Sequence, residues 1–131
     1  MGSIGWLDEQ RGIALWKFAE DDTMVTLMDD FRLFCEMLDS VDQPTYSVID
    51  ALDFKSIPRD MMRYYPEMAR LSPRADRRSV LIAVVTRRML VSLSVETFSR
   101  IYPDYKDRFV ICPTMDQAVD HVEEHIRRHA A

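Results

Sequence analysis

The sequence predicts an α/β fold: a single layer of mixed, mostly parallel sheet flanked by helices, in the order ββαβαβαβα. Three observations carry this. Strand-like and helix-like patterns alternate along the whole chain. The run Val80–Val85 (VLIAVV) is β-branched, apolar and uncharged, as a central parallel strand requires. Hydrophobic residues make up 47% of the 131 positions and charged residues 30%, enough apolar material for one core and too much for disorder. No linker, repeat or low-complexity segment interrupts the pattern, so residues 1–131 read as one domain.

The elements follow in order. Ile4–Leu7 and Ile13–Phe18 are short strands around the polar turn Asp8-Glu9-Gln10-Arg11-Gly12, which predicts an N-terminal hairpin and one antiparallel edge strand. Asp21-Asp22-Thr23 supplies an N-cap and an acidic first turn. Met24, Leu27, Met28, Phe31, Phe34, Cys35 and Leu38 then recur at three- and four-residue steps, an amphipathic helix over 23–39. Asp42-Gln43-Pro44 turns the chain into a buried strand, Tyr46–Leu52. Pro58 suits the first turn of a helix over 58–71, with Ser56 near its N-cap and Pro66 kinking or splitting it. After the polar stretch Arg74–Arg78 come the central strand, a helix over 87–102 with Thr86 as N-cap, the strand Phe109–Cys112, and a last helix opened by Thr114. Three strand–helix–strand crossovers imply right-handed connections.

Composition excludes several functions. The three glycines are Gly2, Gly5 and Gly12, and none occurs later in the chain. Gly-rich phosphate loops and the GxSxG nucleophile elbow need glycine for positive φ or close backbone approach, so neither is present. Net charge is −5, which disfavours nucleic acid as a partner. Two cysteines, Cys35 and Cys112, lie in apolar patterns and read as small buried hydrophobes, not a disulfide framework. No signal-peptide pattern opens the sequence, and no apolar run is long enough to span a membrane. The expectation is a reduced, cytoplasmic protein with no cofactor.

The charge is uneven. Residues 1–66 carry 13 acids and 6 bases, whereas residues 67–131 carry 9 acids and 11 bases. Eight arginines fall between Arg59 and Arg88. One reading is an anion or lipid headgroup held by Ser56, Thr86, Arg87 and Arg88 at the carboxyl ends of the strands. The plainer reading is a solvated basic face. His121, His125 and His129 recur every four residues, and His121–His125 fits H-x-x-E-H, but the string lies on a terminal helix with no third ligand after it. No metal site is assigned. Asp50 and Asp53 sit at a strand's carboxyl end without a His or Lys partner, so no catalytic residue is assigned either. Asp21-Asp22 and Asp29-Asp30 read as capping and helix-surface residues.

The element order, the strand pair at the N-terminus, Val48-Ile49-Asp50 with its loop into a helix, the Val80–Val85 strand, and the ending Phe109-Val110-Ile111-Cys112-Pro113-Thr114-Met115-Asp116-Gln117-Ala118 resemble the STAS domain and its SpoIIAA-like relatives. The resemblance covers nearly the whole chain. It implies a small cytoplasmic domain that regulates a protein partner by binding it and is not an enzyme. Anti-sigma-factor antagonists of that family carry a phosphorylated Asp-Ser-Ser-Gly-like segment after the corresponding strand. Here the stretch is Asp53-Phe54-Lys55-Ser56-Ile57-Pro58-Arg59-Asp60, with no Gly and no Ser-Ser pair. The partner surface is accordingly expected at Asp53, Lys55, Ser56, Arg59, Met61, Met62, Tyr64 and Tyr65. The helix over 87–102 is apolar on two sides, Leu90, Leu93 and Ile101 on one, and Val91, Val95, Phe98 and Tyr102 on the other. The second set is expected to form a homodimer contact, with packing against the Met- and Tyr-rich helix as the alternative.

Overall fold

The computed structural model describes residues 2–54, 61–71 and 79–129. Five strands form one sheet: β1 (Ser3–Asp8), β2 (Ile13–Lys17), β3 (Thr45–Asp50), β4 (Ser79–Val85) and β5 (Phe109–Cys112). Their spatial order, β1-β2-β3-β4-β5, is their order in the chain. β1 pairs antiparallel with β2, and every other pair is parallel. The hairpin and the mostly parallel sheet are thus as the sequence predicts.

Among the described residues there are four α-helices: α1 (Met24–Asp39), α2 (Tyr65–Leu71), α3 (Met89–Ile101) and α4 (Met115–His129). Short 3-10 turns cover Met61–Tyr64 and Pro103–Tyr105. The sheet grows in one direction, so connections of one hand place all three crossover helices on one face. That face holds a large core in which Ala14, Trp16, Ile82 and Val84 of the sheet meet Leu27, Met28 and Phe34 of α1, Tyr65 of α2, and Val91 and Phe98 of α3. The other face is covered by α4. Ala118 and Val122 pack there on Ile13, Val48, Ala83, Val85 and Cys112. Alternate residues of β2, β3 and β4 enter the two cores, the period-two signature of strands buried on both faces.

Several boundaries move for physical reasons. α1 starts at Met24, with Thr23 as N-cap in a reciprocal pair: the Thr26 amide donates to Thr23 Oγ1 and the Thr23 amide to Thr26 Oγ1. Asp21 and Asp22 precede the helix, so its first turn is not acidic. Asp22 instead accepts from the Ala19 amide and the Thr26 hydroxyl. The element around Pro66 is split, as a mid-helix proline requires. A 3-10 turn ends at Tyr64 and α2 begins at Tyr65, which leaves Pro66 in the first turn where no amide is needed. α3 begins two residues later than expected. Arg88 is its N-cap, and Thr86 Oγ1 accepts from the Arg88 amide just before the helix. Thr114 caps α4 through the Gln117 amide. Asp30, expected on the helix surface, is buried at 1% exposure and accepts from the Gly2 amide at 2.9 Å, tying α1 to the start of β1. Cys35 and Cys112 are free and buried.

Candidate functional site

The parallel strands end in register. Lys17, Asp50, Val85 and Cys112 form the last paired row. Backbone bonds from Phe18 to Asp50, Ala51 to Val85 and Thr86 to Cys112 carry the ladder one step further. Beyond that row lies a charged rim. The Lys17 ammonium is 3.6 Å from the Asp53 carboxylate. Asp50 is buried and accepts from the Leu52 amide, so its carboxylate holds the turn after β3. Arg87 Nε donates to the Pro113 carbonyl, bridging the ends of β4 and β5. Arg87 and Arg88 are exposed.

The predicted partner residues separate into three groups. Lys55, Ser56 and Arg59 lie outside the described residues. Asp53 and Met62 are at the surface, Met62 strongly so. Met61, Tyr64 and Tyr65 point inward to different degrees. Tyr65 is 4% exposed, its ring meets Phe98 edge-on at 5.4 Å, and its hydroxyl bonds to Ser94 Oγ at 2.7 Å. The Ser94 hydroxyl also reaches Met61 Sδ at 3.1 Å. Tyr65 therefore joins α2 to α3 inside the domain.

The predicted homodimer stripe is likewise inside. Val91 and Phe98 are buried in the core, and Val95 and Tyr102 pack against it. The other apolar side of α3 is the one left in solvent. Met89 is 78% and Leu90 66% exposed, and Leu93 and Ile101 continue the stripe. Of the two expectations for the buried side, the homodimer contact and packing on the Met- and Tyr-rich helix, the second is what Phe98 makes against Tyr65. The side facing the sheet is the one bearing the bulky ring of Phe98, which fills the space between β5 and α2.

The histidines divide too. His125 Nδ1 lies 3.1 Å from the Tyr46 hydroxyl and its ring stacks on His129 at 4.1 Å. Burial, then His129 and Arg128, pull the His125 imidazole below its ordinary value. His121 is exposed. Among the described residues no group of His, Cys, Asp and Glu side chains is placed to hold a metal.

A feature that sequence reasoning missed lies between the sheet and the helix layer. A cavity of about 190 Å³ is lined by Trp16 and Phe18 of the β2 segment, Phe31 and Phe34 of α1, Tyr65 of α2, Val91 and Phe98 of α3, and small residues of the sheet such as Ser47, Ala51 and Ser79. No charged side chain is among its described lining residues. The signal was present as short side chains at inward positions of β3 and β4 beneath a layer rich in aromatics. Thr86, Arg87 and Arg88 are not part of the lining.

No protein-family model and no curated protein matches the sequence. A solved structure does match: that of an anti-sigma factor antagonist from Mycobacterium paratuberculosis, with a TM-score of 0.60 and 15% identity over 94% of this chain and 93% of that one. No helix of the described residues is long and apolar enough to cross a membrane. The chain thus has the STAS-like fold of an anti-sigma factor antagonist, the fold its sequence resembles.

Proposed function

We propose that the domain is a non-enzymatic, cytoplasmic regulatory module that binds a protein partner through the carboxyl-terminal rim of its sheet and the adjoining outer face of α3. The observation that carries this reading is the exposed apolar stripe Met89, Leu90, Leu93 and Ile101. From Leu90 to Ile101 it extends about 17 Å at the rise of an α-helix. Arg87 and Arg88 directly precede its first turn, and the Lys17–Asp53 pair lies at the ends of β2 and β3 on the same rim. An apolar strip bordered by charge matches the anatomy of protein–protein interfaces. Occurrence of the fold in a protein described as an anti-sigma factor antagonist supports a regulatory role. The engagement of Asp50 with Leu52 and of Asp53 with Lys17 supports a rim without catalysis. The stretch Asp53–Asp60 lacks a Ser-Ser-Gly segment, which supports a partner surface without a phosphoserine switch.

The double substitution Leu90→Glu with Leu93→Glu tests the surface. Both positions are exposed, so folding is expected to persist, as checked by circular dichroism and melting. Capture of the native partner from cell extract is expected to fall at least tenfold. Unchanged capture by the folded variant overturns the assignment. Sedimentation of the wild type reports whether a second copy uses the same face, in which case the double variant is monomeric.

A further inference from the structure

The free edge of β5 carries an inference independent of the α3 stripe. β5 pairs with β4 on one side, and among the described residues no strand pairs with it on the other. In a parallel ladder a residue sends its N–H and its C=O toward the same neighbour, and successive residues alternate. The Arg108 carbonyl accepts from the Ile82 amide at 2.7 Å, and the Cys112 carbonyl from the Thr86 amide at 2.9 Å. Arg108, Val110 and Cys112 thus face β4, and Phe109 and Ile111 turn their main-chain groups outward, where none of the described residues bonds them. The side chain of Phe109 packs on the helix-layer core, whereas Val110 and Cys112 belong to the core under α4. Phe109 and Ile111 line a surface groove together with Val95 of α3 and the exposed Glu96, Arg100 and Lys106. Those three charges form no ion pair among the described residues.

We propose that β5 is a dimerisation edge: two copies of the chain pair β5 antiparallel about Val110 and join their sheets into one, with Glu96 of each copy against Arg100 and Lys106 of the other. The second copy fits because the outward groups lie symmetrically on either side of Val110. A two-fold axis perpendicular to the sheet sets Phe109 of each copy opposite Ile111 of the other, and every outward N–H and C=O finds a partner. The same axis keeps both helix layers on one side, so the two residues meet as aromatic and β-branched cross-strand pairs. It also brings groove to groove, and a lining that carries both signs of charge complements itself. Pairing of this kind closes after two copies and removes an edge that would otherwise invite unspecific strand addition.

The test is sedimentation equilibrium of the whole chain over a range of concentrations. The wild type is expected to form a dimer that dissociates on dilution, and amide exchange at Phe109 and Ile111, read by NMR, is expected to slow as the dimer forms. Ile111→Pro removes an outward N–H that the β4 ladder does not use, a change an edge strand accepts, and is expected to be monomeric. Arg100→Glu with Lys106→Glu makes the groove charges all acidic, and Glu96→Lys in a separate variant makes them all basic. Each is expected to weaken self-association roughly tenfold, and an equimolar mixture of the two is expected to restore it as a heterodimer. If Ile111→Pro does not fold, the charge variants decide alone. Leu90→Glu with Leu93→Glu is expected to stay dimeric, which separates this edge from the α3 stripe. A wild type that is monomeric at every concentration overturns the proposal, and so does an assembly larger than a dimer. A folded Ile111→Pro variant that still dimerises, or a mixture that associates no better than its components, overturns it equally.

Discussion

At Gly12 the chain turns from the β1–β2 loop into β2 with φ of +70°, and a Cβ there would lie 2.6 Å from the Pro44 carbonyl oxygen. Its own carbonyl accepts from the Tyr46 amide, so the residue cannot move away without loosening β3. Gly12→Ala is expected to destabilise by about 2 kcal/mol from the left-handed backbone alone, with the clash added, measured by urea unfolding. Burial, then the charges of Asp39 and Glu36, push the Cys35 thiol up to about 12 from 9.0. Folding favours the protonated thiol, so this contribution is fully present below about pH 9 and is lost as pH rises toward 12. Iodoacetamide is expected to leave Cys35 unlabelled in the folded protein at pH near 8 and to label it in urea. Sequence could place Cys35 inside, because its helical spacing matched its neighbours. It could not distinguish Asp29 from the buried Asp30, since adjacent acids on a helix look alike until the neighbouring strand is known.

The elements were more legible than their orientation. Caps and periodicity located α1, α3 and α4 within about two residues, because those signals are local, whereas α2 begins only at Tyr65 of the helix expected over 58–71. Thr23→Ala removes the acceptor of the Thr26 amide while the Thr23 amide keeps its bond to Thr26 Oγ1, and is expected to cost about 1 kcal/mol, a loss of roughly 3–5 °C in Tm by calorimetry. The outward and inward sides of α3 were not separable from sequence. Both are apolar, and the choice between them depends on the ring space offered by α2 and the Pro103–Tyr105 turn, where Phe98 meets Tyr65, Tyr102 and Tyr105. For the same reason Tyr65 read as a surface residue. Tyr65→Ala is expected to cost about 3–5 kcal/mol, whereas Tyr65→Phe, which keeps the ring and loses only the Ser94 contact, should cost about 1 kcal/mol. Equal losses in calorimetry would show that the ring contributes nothing beyond its hydroxyl.

For the molecule as a whole, the mostly parallel sheet, its antiparallel edge strand and the flanking helices were readable from the alternation of patterns and the handedness of crossovers. The cavity was not, since it depends on how three helices settle on one face. Ala51→Val, which adds bulk at a lining position, is expected to raise stability by about 0.5–1 kcal/mol in urea unfolding.

The identity of spatial and sequential strand order has a consequence for synthesis. Each strand after the first hairpin docks on the edge left by its predecessor, so a nascent chain can assemble its sheet in the direction in which it emerges. No strand waits for a later one to be inserted beside it. The exception is the face that α4 covers, which stays bare until Met115–His129 leave the ribosome. Chains arrested before Phe109 then present the β4 edge and the uncovered Val48 and Val85 together, a surface suited to chaperone capture during translation.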